Sequence, residues 1–343
     1  MRRVILPRDL PPVVPLAWSP SQTVATFFGE TMGTTWSVRW LSHDPNDAPV
    51  VRRLIEDTLD LVVRHMSPWR ADTDISRFNG AAPGTWHSLP DAFRTVLSCA
   101  FEIARLTDGA YDPTAGELVD LWGFGPPGPV SRDPGEVEIA AALGRCGWRR
   151  IAVDGDGRYR QPGGLRLDLS SIAKGYAVDC IVDRLAARGV ASALVEIGGE
   201  LRGYGIKPDG QPWWVGLENP LGGSTTGDEG VDDRVALFGL AAATSGDAQR
   251  KTHRDGRLIS HTIDPRTGHP VSDRVASVSV LHRRCMEADA WATALLVLGP
   301  EEGQAMAETH GIAARFILRE GDSFCEGDSW RECHSSAFAA MLD

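Results

Sequence analysis

Asp168 and Lys174 are the first pair of side chains with chemical potential. They lie in Leu-Arg-Leu-Asp-Leu-Ser-Ser-Ile-Ala-Lys-Gly-Tyr-Ala-Val-Asp, residues 165–179. Leu165, Leu167 and Leu169 alternate with Arg166 and Asp168, which predicts a short strand after the Gly163-Gly164 turn. Ile172, Ala173, Tyr176, Ala177, Ile181 and Leu185 then follow a helical period that Gly189 stops, and Ser170 or Ser171 offers an N-cap hydroxyl. A carboxylate thus closes a strand and an ammonium group falls in the first turn of a helix. The partial positive charge of a helix N-terminus disfavours a lysine there. An anion bound between the helix amides and Lys174 would reverse that. A surface lysine on an ordinary strand-to-helix turn would give the same pattern.

Asp289 and Thr293, in Glu287-Ala-Asp-Ala-Trp-Ala-Thr293, share one face of a helix. A carboxylate and a hydroxyl so placed can offer hard oxygens to Mg²⁺. A first-turn acid favoured by the helix dipole explains Asp289 equally well. His261 stands three residues before Asp264-Pro265-Arg266-Thr267-Gly268, a good turn sequence, and a histidine titrating near neutrality suits proton transfer. Thr31-Met32-Gly33-Thr34-Thr35 lies between two apolar stretches, where glycine allows backbone to approach a ligand.

The elements that must position these groups follow from periodicity. Strands are expected at Thr23–Phe28, Trp36–Trp40, Ala193–Ile197, Trp213–Leu217, Val235–Ala243, Leu258–Asp264, Val275–Leu281 and Ala313–Leu318. Helices are expected over Pro49–Met66, with Val50, Leu54, Leu61 and Val62 as apolar positions, and over Pro90–Thr107, Val137–Leu143, Glu287–Leu298 and Glu301–His310. Ala110–Gly125 holds too much glycine and proline for a long element. Its Tyr111, Leu118, Trp122 and Phe124 are too apolar for a solvated loop, so it must fold against something. Strands that do not alternate strictly with helices predict an α+β fold with a mixed, mostly antiparallel sheet and packed helices. Residues 1–22 are proline-rich and expected to be irregular, 23–319 to form one domain, and 320–343 to be a tail.

Composition sets outer limits. The chain has 343 residues and a net charge of −11, which argues against a general nucleic-acid binder. The six cysteines show no zinc spacing and are expected to be reduced. No apolar run reaches membrane-spanning length and no signal-peptide core is visible, so a cytoplasmic protein without membrane insertion is expected. No G-x-G-x-x-G unit follows the first strand, which disfavours a dinucleotide oxidoreductase.

Taken in order, Met32-Gly-Thr-Thr, Met66-Ser-Pro-Trp with Asp74-Ile-Ser-Arg-Phe-Asn79, Gly109-Ala-Tyr-Asp-Pro-Thr114 with Leu121-Trp-Gly-Phe-Gly125, Leu167-Asp-Leu-Ser-Ser-Ile-Ala-Lys-Gly-Tyr176, Ile197-Gly-Gly-Glu200, Thr244-Ser-Gly-Asp247, His261-Thr-Ile-Asp-Pro-Arg-Thr-Gly268 and Ala288-Asp-Ala-Trp-Ala-Thr293 resemble the ApbE family, the FAD:protein FMN transferases. The resemblance spans roughly Thr23 to Leu318. It implies a T-fold-like α+β architecture with the FAD site in a cleft. It also implies Mg²⁺-dependent transfer of FMN from FAD to a threonine or serine of an acceptor flavoprotein, with release of AMP. By matching positions, Met32, Trp69, Ala110, Tyr111, Asp112, Asp168, Lys174 and Ile263 would contact FAD. Asp289, Thr293 and the Ser171 backbone carbonyl would hold the metal. His261 would sit near the chemistry, alongside Lys174 and Asp289 as catalytic candidates. Ser170-Ser171 stands where many members carry glycine or alanine, and Trp69 replaces a commoner tyrosine. Two alternatives share these residues: an FAD pyrophosphatase giving FMN and AMP, and a non-catalytic FAD-binding protein.

Overall fold

Strands covered on both faces read as unbroken apolar runs, and Val275–His282 and Ala313–Arg319 are buried along nearly their whole length. The computed structural model describes residues 3–8, 23–42, 44–217, 233–246, 251–254, 257–319 and 330–343. Strand β1 (Arg3–Ile5) precedes the hairpin β2 (Thr23–Thr31) and β3 (Thr34–Ser42). Then come α1 (Ala48–Met66), α2 (Asp74–Asn79), β4 (Trp86–His87), α3 (Asp91–Leu106), α4 (Gly116–Leu121), α5 (Glu136–Leu143), β5 (Tyr159–Arg160) and α6 (Ala173–Ala187). The strands β6 (Ala193–Ile197), β7 (Glu200–Tyr204), β8 (Trp213–Leu217), β9 (Asp233–Leu237), β10 (Leu240–Gly246), β11 (Lys251–Arg254), β12 (Arg257–Ser260) and β13 (Val275–His282) follow. Helix α7 (Cys285–His310), β14 (Ala313–Arg319), β15 (Trp330–His334) and α8 (Ser336–Ala339) complete the order.

Eight strands make one sheet in the order β15-β14-β13-β10-β7-β6-β3-β2, antiparallel at every step. On one face lie α6, against β6 and β7, and α7, against β10 and β13, with α1 and α3 behind them. Val195, Ile197, Ala241, Ala243, Val280 and Phe316 point into this core. Their neighbours Leu194, Ala242, Leu281 and Ala313 point the other way, against Trp213, Val235, Leu237 and Phe338 of a smaller β1-β9-β8 sheet and α8. Each valine, leucine, isoleucine or phenylalanine among them contributes about 1.5–3 kcal/mol when fully buried. A third cluster joins Ala115, Leu118 and Trp122 to Ile139, Ala142, Ile259 and Ile263. The apolar stretch around Tyr111–Phe124 therefore folds against α5 and the segment before the Asp264 turn. The α+β class and the mostly antiparallel sheet are as expected.

Several local readings are corrected. Residues 165–169 form no regular strand; they make a single bridge, Ala115 to Arg166. Neither Ser170 nor Ser171 caps α6, whose N-cap is Ile172 with no side-chain cap. Val235–Ala243 is two strands in two sheets, because Phe238-Gly239 turns the chain over with Gly239 at φ 68°. Leu258–Asp264 stops as a strand at Ser260. The two C-terminal helices, by contrast, are as expected: the α7 range is divided at Gly299, whose φ of 78° is not helical, ahead of Pro300. On α1 the buried stripe is Val51, Ile55, Thr58, Leu59, Val62 and Met66, while Val50 is exposed. Thr58 fits there because its hydroxyl donates to Leu54 O and accepts from Arg184.

The two central helices cap each other. An α-helix leaves its first amides without internal partners. Asp179 of α6 accepts from the Cys285 and Met286 amides that open α7, at 3.0 Å each. Asp289 of α7 accepts from the Gly175 amide in the first turn of α6, at 3.0 Å. Asp179 is fully buried and also pairs with Arg202 (2.8 Å) and Arg284 (3.3 Å). Removing one member of such a group leaves uncompensated buried charge. Asp179→Ala is expected to cost about 3–5 kcal/mol in urea unfolding, with Asp179→Asn less damaging because one acceptor oxygen remains. A loss below about 1 kcal/mol, the scale of an exposed ion pair, would refute the cross-capping.

Candidate active site

Residues 165–171 are held by side chains and turns rather than by a sheet. The Asn79 amide pairs with both backbone groups of Leu167, at 2.7 and 2.9 Å. Gln161 donates to Phe78 O and Leu165 O, Asp168 N donates to Pro113 O, and Gly116 N donates to Arg166 O. Three separate sequence segments, around residues 79, 113 and 168, are thereby locked together at the start of α6. The Asp168 carboxylate accepts from Ser170 N, which turns the chain toward the helix. The Ser171 hydroxyl donates to the buried Tyr111 hydroxyl at 3.2 Å. Burial pushes the Tyr111 hydroxyl well above its usual pKa, so it stays a neutral polar contact.

The ammonium group of Lys174 donates to Glu200, the first residue of β7. Glu200 and Asp289 are both buried, and Glu200 Oε2 has no hydrogen-bond partner among the described residues. Burial pushes both carboxyls above the ordinary carboxylate range, opposed in each by the Lys174 ammonium. Burial also disfavours the charge on Lys174, but Asp289 and Glu200 together hold its pKa above the usual lysine value. Fully ionised, the three groups carry one excess negative charge. A buried excess of that sign calls for a cation. Gly175 makes the cluster possible: a Cβ there would lie 2.4 Å from Cys285 O and 2.9 Å from Asp289 Cβ.

The other expected residues stand on these and further elements. One turn beyond Asp289, the half-buried Thr293 shares a hydrogen bond with Ser245 at 2.9 Å. Met32 and Gly33, with φ 48° and 74°, make the tight turn between β2 and β3. That hairpin meets the Gly198-Gly199 turn leading into Glu200: Gly198 N donates to Thr35 O, and a Cβ on Gly198 would lie 2.8 Å from Thr34 Cγ2. Trp69 is 58% exposed on a loop that Thr73 and Ser76 tie down through Ser67 O and Arg70 O. Ala110 is buried, and Asp112 spends its carboxylate inside the fold, on Thr114 and the Trp148 amide. Burial pushes that carboxyl up as well.

A second group gathers around the Asp264-Pro265-Arg266-Thr267-Gly268 turn. The His261 ring lies edge-on to Phe124, with centroids 6.3 Å apart. Ile263 is buried beside Ala115 and Leu118, and Trp122 Nε1 donates to Gly268 O at 2.8 Å. Asp247 and Cys325 lie outside the described residues, while Cys99, Cys146, Cys180, Cys285 and Cys333 are free thiols. Glu200 is the residue that sequence reasoning passed over. Its signal was an acid directly after Ile197-Gly-Gly and ahead of another apolar stretch.

Known proteins resemble this chain over most of its length. A family profile described as the ApbE family matches residues 32–316. The FAD:protein FMN transferase of Vibrio cholerae serotype O1 is 36% identical over 315 residues, 92% of this chain and 91% of that one. The FAD:protein FMN transferase of Escherichia coli K12 is 33% identical over 313 residues, 89% of this chain and 88% of that one. The crystal structure of the Pseudomonas stutzeri flavinyl transferase ApbE, in its apo form, has a TM-score of 0.84 at 39% identity, over 93% of this chain and 97% of that one.

Gly175 gives a direct check of the site's geometry. A glycine-to-alanine change in an open helix stabilises by about 0.5–1 kcal/mol. Here the added methyl meets Cys285 and Asp289, so Gly175→Ala should instead cost about 1–3 kcal/mol in urea unfolding. A stabilised variant would mean that the two helices do not touch at this point.

Proposed function

The chain belongs to the ApbE family, and we propose that its Lys174–Glu200–Asp289 group serves a Mg²⁺-dependent transfer of FMN from FAD to a threonine or serine hydroxyl of a target protein. Transfer of FMN from FAD to a protein is the activity that its relatives' names carry, and this chain is an enzyme of that kind. The observation that supports the finer reading is the half-buried Lys174 in the first turn of α6, which pairs with the buried Glu200 that opens β7 and feels the charge of the buried Asp289, whose carboxylate accepts from the Gly175 amide of that same turn. FAD brings a diphosphate, and phosphoryl chemistry needs charge neutralisation and alignment.

The donor set fits a dication. Asp289, the Thr293 hydroxyl and the Ser171 carbonyl are hard oxygens of the kind Mg²⁺ takes, and the unpartnered Glu200 Oε2 marks unmet negative charge beside them. When bound there, Mg²⁺ would neutralise and orient the diphosphate oxygens. Lys174 supplies the positive charge of the protein's own side chains to the diphosphate. The acceptor hydroxyl oxygen forms a new bond to the phosphorus of the FMN half. The bond from that phosphorus to the bridging oxygen breaks, and AMP leaves with its electron pair. His261 takes the hydroxyl proton. Exposed Trp69 offers a face for ring stacking, and Met32, Ala110, Tyr111, Asp168 and Ile263 are the further FAD contacts of this reading. Asp112 contributes through its backbone, since its carboxylate is taken.

Incubation with FAD, Mg²⁺ and an acceptor domain carrying a threonine should add one FMN to the acceptor by intact mass and release AMP. Excess EDTA should stop both. Asp289→Ala and Lys174→Ala should each lower turnover by about 10²–10³-fold, the scale of losing one preorganised charge-stabilising group. Free FMN and AMP with an unmodified acceptor would replace transfer by hydrolysis. Full activity in EDTA would remove the metal.

A further inference from the structure

Lys174 faces two buried carboxyl groups and pairs with one of them. It donates to Glu200, and among the described residues it forms no ion pair with Asp289, although the Asp289 charge acts on it through space. We propose that Glu200 is a positioning residue that holds the Lys174 ammonium as its counter-ion, keeps it off Asp289, and so leaves the Asp289 carboxylate open to a divalent cation. This inference rests on the reading of Asp289 as a cation ligand.

Glu200 is built to stay where it is. It follows the Gly198-Gly199 turn, whose residues have φ 61° and 100°. That turn is pinned by Gly198 N to Thr35 O and by Gly199 N to Glu196 Oε1, both at 3.0 Å. The side chain is buried, with one oxygen on Lys174 and the other without a hydrogen-bond partner among the described residues. Burial works against a charge on this carboxyl, and the Lys174 ammonium opposes that. Lysine, by contrast, is a compact charge on a flexible four-carbon stem. Without Glu200, the nearest buried anion for that ammonium is Asp289. Asp289 Oδ2 is already engaged by the Gly175 amide, so ammonium and metal would compete for what remains of a single carboxylate. In a poorly hydrated site that competition is strong.

The test is Mn²⁺ binding to the full chain without FAD, read from the free Mn²⁺ signal in electron paramagnetic resonance at one fixed pH. Glu200→Gln should weaken Mn²⁺ binding by about 10–100-fold, the usual effect of disturbing a residue that supports a metal ligand. The double variant Glu200→Gln/Lys174→Met removes the competing ammonium and should bring binding back toward the wild-type value. Glu200→Asp, which keeps the counter-ion, should lose less than Glu200→Gln. Unchanged Mn²⁺ binding in Glu200→Gln would overturn the proposal. So would a double variant as weak as the single one, because Glu200 would then be a ligand itself or a support of the fold. Wild-type affinity in Asp289→Ala, or no binding by the wild-type chain, would remove the cation reading of Asp289 and the role of Glu200 with it.

Discussion

The site depends on one close approach, that of the first turns of α6 and α7. Neither helix carries an N-cap side chain of its own. Each takes a carboxylate from the other: Asp179 serves α7 and Asp289 serves α6. A carboxylate at a helix N-terminus is favoured by both the free amides and the dipole. The exchange therefore stabilises both helices and fixes their relative position to hydrogen-bond precision. Only glycine at position 175 lets the backbones come that near. Lys174 and Gly175 are consecutive, so the same contact that seats Asp289 also sets where the Lys174 side chain begins.

The charge arrangement follows from that contact. A lysine in the first turn of a helix is unfavourable against the dipole, and burial adds to the cost. Asp289 and Glu200 offset both. The result is not a neutral pair but a group that leans negative, inside a chain whose net charge is −11. Such a protein does not attract a diphosphate by its overall field. Local charge must do so, and in the proposed reaction that falls to Lys174 and a dication. The pKa values of Glu200 and Asp289 point the same way: both carboxyls are pushed up by burial and only partly relieved by Lys174. A dication would relieve them further, since a bound ion is often the largest charge in its site.

Much of this was legible in the sequence, and the gaps have physical causes. Alternation and helical period located most strands and the long helices. The order of short motifs identified the family, later matched over residues 32–316. The start of α6 was misjudged because Ser170-Ser171 has the composition of an N-cap, whereas the helix begins after Ile172 and its Gly175 amide is served by Asp289 from a helix more than a hundred residues away. Local rules cannot see such a partner. The stretch 165–169 alternates like a strand, yet its backbone is satisfied by Asn79, Pro113 and Gly116. Alternation reports which side chains are buried, not what the backbone bonds to. On α1 the apolar residues exceed what one face can hold, so periodicity admitted two stripes, and the buried one was set by Thr58 meeting Arg184. Glu200 went without a role because an acid near a Gly-Gly turn is ordinary on a surface, and only the fold buries it.

The remaining constraint is where the strain lies. Met32 is one of two non-glycine residues with positive φ among those described, a conformation costing roughly 1–2 kcal/mol. It sits at the tip of the β2–β3 hairpin, beside the Gly198-Gly199 turn that launches Glu200. Met32 is half-buried against the main core, so its side chain holds the turn down and offsets part of that strain. A more relaxed turn would splay the strands and would release Thr34 from Gly198. The tip of the hairpin and the end of the β6–β7 turn therefore move as one unit. Through Glu200, that unit reaches Lys174. A loop distant in sequence thus bears on the position of the ammonium group, which gives a physical reason for a strained methionine at the rim of the site.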